Sequence, residues 1–290
     1  MKKIAKPAVL ILFALVAACL WLDICYGTFT GARCRLPVLM YHHFVEEDKE
    51  DLLDTIVSRD RFREQLTALK EEGFEAVHLA QVIDFVENGT PLPDKPVLIT
   101  MDDGYTSNLE IAAPILEELG MCATVFVIGI NEGEAAYVHD GQPFWQARFA
   151  YEEAVPWVEK GVIEIQSHTY DMHQLASYGF SGREGVLQLE GESDADYVLA
   201  LQEDLRLTRE RREGRLSTDL VALAYPFGYW SEQADQTLQA GGILMTFTID
   251  EYCNTLYTGD WNTLRKMGRF NVTNTMSGRG LADRLNLVVR

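Results

Sequence analysis

The chain has 290 residues, 47% of them hydrophobic and 24% charged, with a formal net charge of −19. That length and apolar content suit a single folded domain with one large core, and they exclude a low-complexity or disordered chain. So acidic a surface repels polyanions, which excludes nucleic acid and anionic membrane surface as partners.

At the N-terminus, Lys2, Lys3 and Lys6 precede fifteen unbroken apolar residues at 8–22. A basic start before such a run is the pattern of a secretory signal peptide or a short membrane anchor; a full span usually needs about 20 residues. Asp23 interrupts the run, and Ile24, Cys25 and Tyr26 extend its apolar character. Val16-Ala17-Ala18-Cys19 is weakly similar to a lipoprotein box, but the apolar Leu20-Trp21-Leu22 argues against cleavage there. Residues 1–27 are therefore read as an uncleaved signal anchor, with a cleaved signal peptide as the alternative, 28–35 as a linker, and 36–290 as the folded domain. Either reading places the domain outside the cytoplasm, secreted or at the cell surface, and touching membrane only through its N-terminal segment. The first 27 residues hold three Lys and one Asp, so the remainder carries −21. The five cysteines form no disulfide framework: Cys19 and Cys25 lie in the apolar segment, Cys34 follows it, Cys122 opens a strand pattern and Cys253 lies in a late loop.

Beyond that segment, strand and helix patterns alternate. Residues 36–41 read as a buried strand ending at His42, followed by an acidic loop through 46–54. Residues 60–72 place Phe62, Leu66 and Leu69 at helical spacing and stop at Gly73. A short strand at 76–79, a helix at 80–88 and a Pro-containing turn at 89–95 lead to an apolar strand at 96–100. A helix at 106–119 closes at Gly120, a strand follows at 123–128, 144–160 read as helical, and a strand follows at 162–165. Residues 178–196 are rich in Gly and Glu without periodicity, an expected insertion at the rim of a site. A charged helix at 197–212, a strand at 220–224, a helix at 231–241, a strand at 243–248 and a short terminal strand at 269–272 complete the domain. This alternation predicts an α/β fold of parallel strands with helical crossovers.

Chemistry concentrates where two of these strands end. Asp102-Asp103-Gly104 follows the strand at 96–100, and His168 and His173 follow the strand at 162–165. An Asp-Asp-Gly after a strand is by itself most often a turn, and two histidines five apart do not share a helix face. Together, at the carboxyl ends of buried strands, they match a two-histidine, one-carboxylate metal site with open positions, leaving a second carboxylate free to take a proton.

These residues resemble the polysaccharide deacetylases of the NodB-homology type, carbohydrate esterase family 4, over roughly residues 36–272. The resemblance implies a deformed (β/α) barrel in which Asp102 is the catalytic base and Asp103, His168 and His173 hold a divalent metal, Zn first and Co, Mn or Ni as alternatives. The five-residue spacing of the histidines is similar to the branch that includes poly-N-acetylglucosamine deacetylases. Leu223-Ala224-Tyr225-Pro226-Phe227-Gly228 resembles the family's third motif, which implies that the Phe227 N–H contributes to an oxyanion hole. Phe227 stands where Tyr is usual and Ala224 where many members carry Arg. Many members also take the general acid from a histidine near the C-terminus, yet no histidine follows His173. His42, at the end of the 36–41 strand, is the expected acid, its ring expected in the cavity of the metal ligands on the side away from Asp102, with His43 left open as an alternative. His78 and His139 read as structural or exposed.

Tyr229 and Trp230 after the third motif are expected either to stack on a sugar ring or to fill core. Arg269 is expected either to orient Asp102 or to form an edge salt bridge, and Asp250 either to support the third motif or to start a turn. The expected function is metal-dependent removal of N-acetyl groups from an extracellular N-acetylglucosamine polymer, releasing acetate. Two alternatives stand beside it: a peptidoglycan N-deacetylase, and a surface glycan-binding domain without turnover. The partner in each case is an acetylated glycan.

Overall fold

Pro37 splits the strand expected at 36–41 in the computed structural model, which describes residues 31–48, 52–139, 142–178 and 181–289. The proposed anchor lies outside the described residues. Strand β1 (Arg33–Leu36) covers the end of the expected linker and the first residue of the expected domain. After β2 (Val38–Tyr41) come two short strands paired in parallel, β3 (His43–Val45) and β4 (Ile56–Ser58). Ser58 then caps helix α1 (Arg59–Glu71), its hydroxyl accepting the Arg61 N–H, and the helix buries Phe62, Leu66 and Leu69 as their spacing predicts.

Strand β5 (Glu75–Ala76) and helix α2 (Leu79–Asn88) lead to β6 (Pro96–Asp103), which runs three residues further than expected and carries both carboxylates on its end. Residues 108–112 form a π-helical turn that continues into α3 (Ala113–Leu119), and β7 (Ala123–Val127) follows. The helix expected to begin at 144 is a correction. Residues there form β8 (Tyr137–His139) and β9 (Gln142–Trp145), an antiparallel pair, and α4 spans only Tyr151–Glu159. Helix initiation sits later because the Glu153 carboxylate accepts the Ala150 N–H, a start signal that periodicity alone does not reveal.

The remaining elements are β10 (Ile163–Ser167), α5 (Asp194–Arg212), β11 (Ala222–Ala224), α6 (Glu232–Ala240), β12 (Met245–Phe247), β13 (Asn254–Tyr257), β14 (Phe270–Asn271) and α7 (Gly278–Val288). Strand β13, which pairs antiparallel with β1, and helix α7 were not expected from the sequence. Helix α7 lies close on α1: a side chain at Gly278 would meet the Glu64 backbone oxygen at 2.5 Å.

One sheet organises these elements in the order β12-β11-β10-β7-β6-β2-β14, with β5 added beside β6, and every pairing in it is parallel. Phe247 at the end of β12 bridges Met267, just ahead of β14, so the sheet curls until its two edges approach. The result is a deformed (β/α) barrel, as expected. Both sheet faces are covered, which is why the strands read as continuous apolar runs. Alternate residues divide between two cores: Val97, Ile99 and Met101 face one way with Val125 and Val127, while Leu98 and Phe126 face the other with Ala224 and Phe247. Among the described residues no helix is long and apolar enough to cross a membrane.

Candidate active site

Strict alternation along β6 would send Asp102 and Asp103 to opposite faces of the sheet. Asp103 escapes this by adopting φ 72°, and Gly104 follows at φ 74°, so the backbone turns left-handed and both carboxylates reach the same rim. Three of the four non-glycine residues with positive φ among the described residues belong to this rim: Asp103, Thr169 (φ 69°) and Phe227 (φ 56°). Thr is β-branched and Phe bulky, so these are costly conformations, of order 1–3 kcal/mol each, which persist only where surrounding structure imposes them.

The metal-ligand set expected from the sequence converges. Asp103 Oδ1 lies 3.3 Å from His173 Nε2 and 3.6 Å from His168 Nε2, and the three donor atoms fall within 4.8 Å of one another. His168 Nδ1 lies 2.8 Å from the Ala224 carbonyl, an acceptor that holds the proton on Nδ1 and leaves the Nε2 lone pair facing Asp103. Burial, joined by His168 and Arg148, outweighs the pull of Asp103 and brings His173 down to about 4, so its imidazole is neutral and able to donate a lone pair. Asp103 Oδ1 is buried without a hydrogen-bond partner. A buried carboxylate oxygen with no donor, facing two imidazole nitrogens, fits a divalent cation.

Asp102 is held differently. Burial alone would raise its carboxyl, but Arg269, His168 and His42 reverse that and hold it well below the ordinary carboxylate range. Arg269 does most of this through two hydrogen bonds of 2.7 and 2.8 Å to the two carboxylate oxygens. The guanidinium is fully buried, and it also donates to the Thr248 carbonyl at 2.9 Å. The pair is therefore part of the interior rather than an edge salt bridge. Asp250 contributes through its carbonyl, which accepts the Arg269 N–H at 2.9 Å.

His42 follows β2, as expected, and its Nε2 lies 3.9 Å from Asp102 Oδ2. This corrects one expectation: a general acid was expected on the side of the site away from Asp102, whereas His42 lies beside it. His42 Nδ1 is buried without a hydrogen-bond partner. His43 turns elsewhere, its Nδ1 2.9 Å from Ser107 Oγ and its ring 5.0 Å from that of Tyr105. Burial, with Arg148 nearby, brings His43 down to about 4.

The third-motif turn places the Phe227 ring 4.4 Å from that of His173. The N–H groups of Gly228 and Tyr229 close the turn on the Tyr225 and Pro226 carbonyls, which leaves the Phe227 N–H outside the turn's own bonds. Tyr229 and Trp230 are 40% and 37% exposed, so neither is core, and Lys266 Nζ sits 4.7 Å over the Trp230 ring. Tyr178, in the Gly-rich insertion, adds a third exposed ring near Phe227.

Sequence reasoning missed four contributors. Arg148 donates from Nε to the Asp103 carbonyl at 2.7 Å and lies 4.6 Å over the Tyr105 ring. Asn108, in the π-helical turn, donates to the His42 carbonyl at 2.7 Å, and π-turns often mark functional sites. Ser107 accepts the Phe44 N–H. Asp204, on α5, accepts two N–H groups from the segment between the two histidines. Only Ser107 and Asn108, which follow the Asp-Asp-Gly closely, carried any sequence signal; Arg148 and Asp204 arrive from elements whose contact with the site is tertiary.

Known proteins are similar to this chain. A poly-β-1,6-N-acetyl-D-glucosamine N-deacetylase of Escherichia coli (strain K12) is 24% identical over 221 residues, covering 72% of this chain but 33% of that protein, so this chain corresponds to a third of that relative's length. The protein of the same name from Staphylococcus aureus (strain MRSA252) is 23% identical over 219 residues, covering 76% of this chain and 69% of that one. The solved structure of IcaB from Ammonifex degensii superimposes with a TM-score of 0.70 at 26% identity, covering 87% of this chain and 97% of that one. The sequence profile of the polysaccharide deacetylases matches residues 89–246, a stretch that runs from the approach to the Asp-Asp strand through the histidine pair and the third motif to β12. With that match spanning more than half of the chain, and with the curled parallel sheet around it, the protein belongs to the polysaccharide deacetylase family.

Proposed function

We propose that this domain is a metal-dependent N-deacetylase acting on an extracellular polymer of N-acetylglucosamine and releasing acetate. The observation that carries the reading is the convergence of His168 and His173 on a buried Asp103 oxygen that has no donor, beside a second carboxylate held ionised by Arg269. Asp103, His168 and His173 would hold the ion, and their mixed N/O donor set suits Zn first, with Co, Mn or Ni as alternatives. When bound, such an ion supplies a Lewis acid for the acetamide carbonyl and lowers the pKa of water towards neutrality.

The chain's own residues divide the remaining work. Asp102 accepts a proton from the attacking water, and the bidentate Arg269 pair keeps it ionised and oriented to do so. The Phe227 N–H, fixed by the left-handed turn, donates to the oxyanion of the tetrahedral intermediate. His42 protonates the leaving amine. Its position beside Asp102 puts proton acceptor and proton donor next to each other, while His43, bound to Ser107 and kept neutral by burial, is poorly suited to the role. Tyr229 and Trp230 offer exposed aromatic faces for neighbouring sugar rings.

The polymer assignment draws on the names of the E. coli and S. aureus relatives. Placement at the cell surface draws on the N-terminal signal pattern, with residues 1–27 as anchor and the enzyme domain beyond it. Acetate release from poly-N-acetylglucosamine, peptidoglycan and chitin oligomers, each with and without chelator, tests the reading. Chelator-sensitive release from the first is expected. Release from peptidoglycan alone would shift the substrate, and glycan binding without any release would favour a non-catalytic domain.

A further inference from the structure

The four residues between His168 and His173 make none of their N–H bonds to a strand or helix ladder. The Thr169 N–H goes to Ser167 Oγ at 3.0 Å, two residues back at the end of β10, and the Met172 N–H to Thr169 Oγ1 at 3.2 Å, within the segment. The middle two go to a single distant side chain: Tyr170 N–H to Asp204 Oδ1 and Asp171 N–H to Asp204 Oδ2, each at 2.8 Å. Among these donors' partners, Asp204 is the one group that arrives from an element distant in sequence. Two carbonyls of the segment are also held, Thr169 by the Gly129 N–H and Tyr170 by the Ile130 N–H. A side chain at Gly129 would meet the Tyr170 ring at 2.8 Å, so the segment is wedged between the loop after β7 and helix α5.

We infer that Asp204 is a positioning residue for the metal site: it sets the path of the 169–172 segment and so the distance and angle between the two histidine ligands. This rests on the metal reading of Asp103, His168 and His173. The chain leaves the first ligand through a left-handed Thr169, and something must turn it back so that His173 faces the same oxygen. A carboxylate does this with two acceptors at fixed separation, one for each successive N–H, which an amide cannot match because one of its two heads is a donor. Helix α5 is itself registered against β10, since the buried Arg212 donates to the Ile165 carbonyl at 2.9 Å. Asp204 therefore ties the ligand segment to the strand that presents the first ligand. Burial pushes its carboxyl up to about 6 despite the two N–H bonds, so keeping it ionised at neutral pH works against stability.

The test is Zn2+ affinity, measured by competition with a chromogenic chelator on the folded protein. Asp204→Asn is expected to weaken Zn2+ binding roughly 10- to 100-fold, the range for groups that orient metal ligands, while near-ultraviolet circular dichroism stays native. Turnover should recover substantially at saturating Zn2+. Asp204→Glu keeps both oxygens but displaces them by a methylene, and a smaller, several-fold weakening is expected; it serves if the Asn variant does not fold. Tyr197→Phe is the control for general destabilisation. It lies on the same helix and loses a 2.7 Å bond to the Val186 carbonyl, away from the ligand segment, and should lower Tm without changing Zn2+ affinity. Wild-type Zn2+ affinity in either folded Asp204 variant, or equal weakening in Tyr197→Phe, would overturn the role of Asp204 alone. Failure of the unmodified protein to bind Zn2+ would overturn the metal reading, and this inference with it.

Discussion

Asp102 and Arg269, 167 residues apart in sequence, form a bidentate ion pair at 2.7 and 2.8 Å in the interior of the barrel. The pair joins the end of β6 to the start of the terminal β14 segment, so the sheet edge that closes last delivers the cation that keeps the proposed base ionised. Arg fits this position better than Lys because its planar fork meets both carboxylate oxygens at once.

Removing that cation should cost stability as well as turnover. Arg269→Met leaves Asp102 buried and unpaired, and the expected loss is about 3–5 kcal/mol, read from the denaturant midpoint. The pH dependence should change sign. In the unmodified protein the depressed Asp102 pKa contributes stability that is present above the unfolded carboxylate pKa and is lost as pH falls through the lower folded value. In the variant, burial without Arg269 raises the carboxyl, so stability should instead improve as acidification protonates it. A variant that tracks the unmodified protein between neutral pH and pH 4 would show that the pair contributes little.

The adjacent carboxylates should separate by role. Asp103→Ala and His168→Ala are expected to lose both bound metal and activity with the fold retained, as metal analysis and circular dichroism would show. Asp102→Asn should keep its metal and lose roughly 10²-fold or more in rate, the scale of a general base. Metal loss in Asp102→Asn with retention in Asp103→Asn would exchange the two assignments.

His42→Ala should keep metal and substrate binding while losing most of the rate on acetamide substrates. With an activated ester the loss should be much smaller, because that leaving group needs little protonation. Comparing kcat on the two substrate types checks this. Equal losses on both would remove His42 as the acid and leave it a neighbour of Asp102.

Phe227 should matter for its backbone more than its ring. Phe227→Ala keeps the N–H and is expected to retain activity within about tenfold, the ring's contact with His173 being what it loses. Phe227→Pro removes the donor and is incompatible with the positive φ, so activity should fall by about 10²- to 10³-fold, as for loss of an oxyanion-hole donor. Near-normal kcat in a folded Phe227→Pro protein would place the oxyanion elsewhere.

Much of the domain was legible in the chain alone because its determinants are local. Apolar runs such as 96–100 and 123–128 are strands buried on both faces, and the spacing of Phe62, Leu66 and Leu69 fixes one helix face, so the alternation of elements follows from the sequence. Asp103, His168 and His173 were recognisable because each lies within a few residues of a strand's carboxyl end, where parallel folds gather their chemistry. What the tertiary structure decided is of another kind. The pairing of Arg269 with Asp102 rather than with an edge carboxylate depends on sheet closure, which the Phe247 and Met267 bridge completes across 20 residues of chain. The strand at Gln142–Trp145 depends on pairing with Tyr137–His139, and helix α7 depends on the face α1 presents to it; no local pattern encodes either partner. The place of His42 beside Asp102, and the reach of Asp204 to the histidine segment, are set by how elements 60 and about 30 residues away are laid against one another. Periodicity fixes which face of an element is apolar, but only packing fixes what that face meets, and the site is assembled from such meetings.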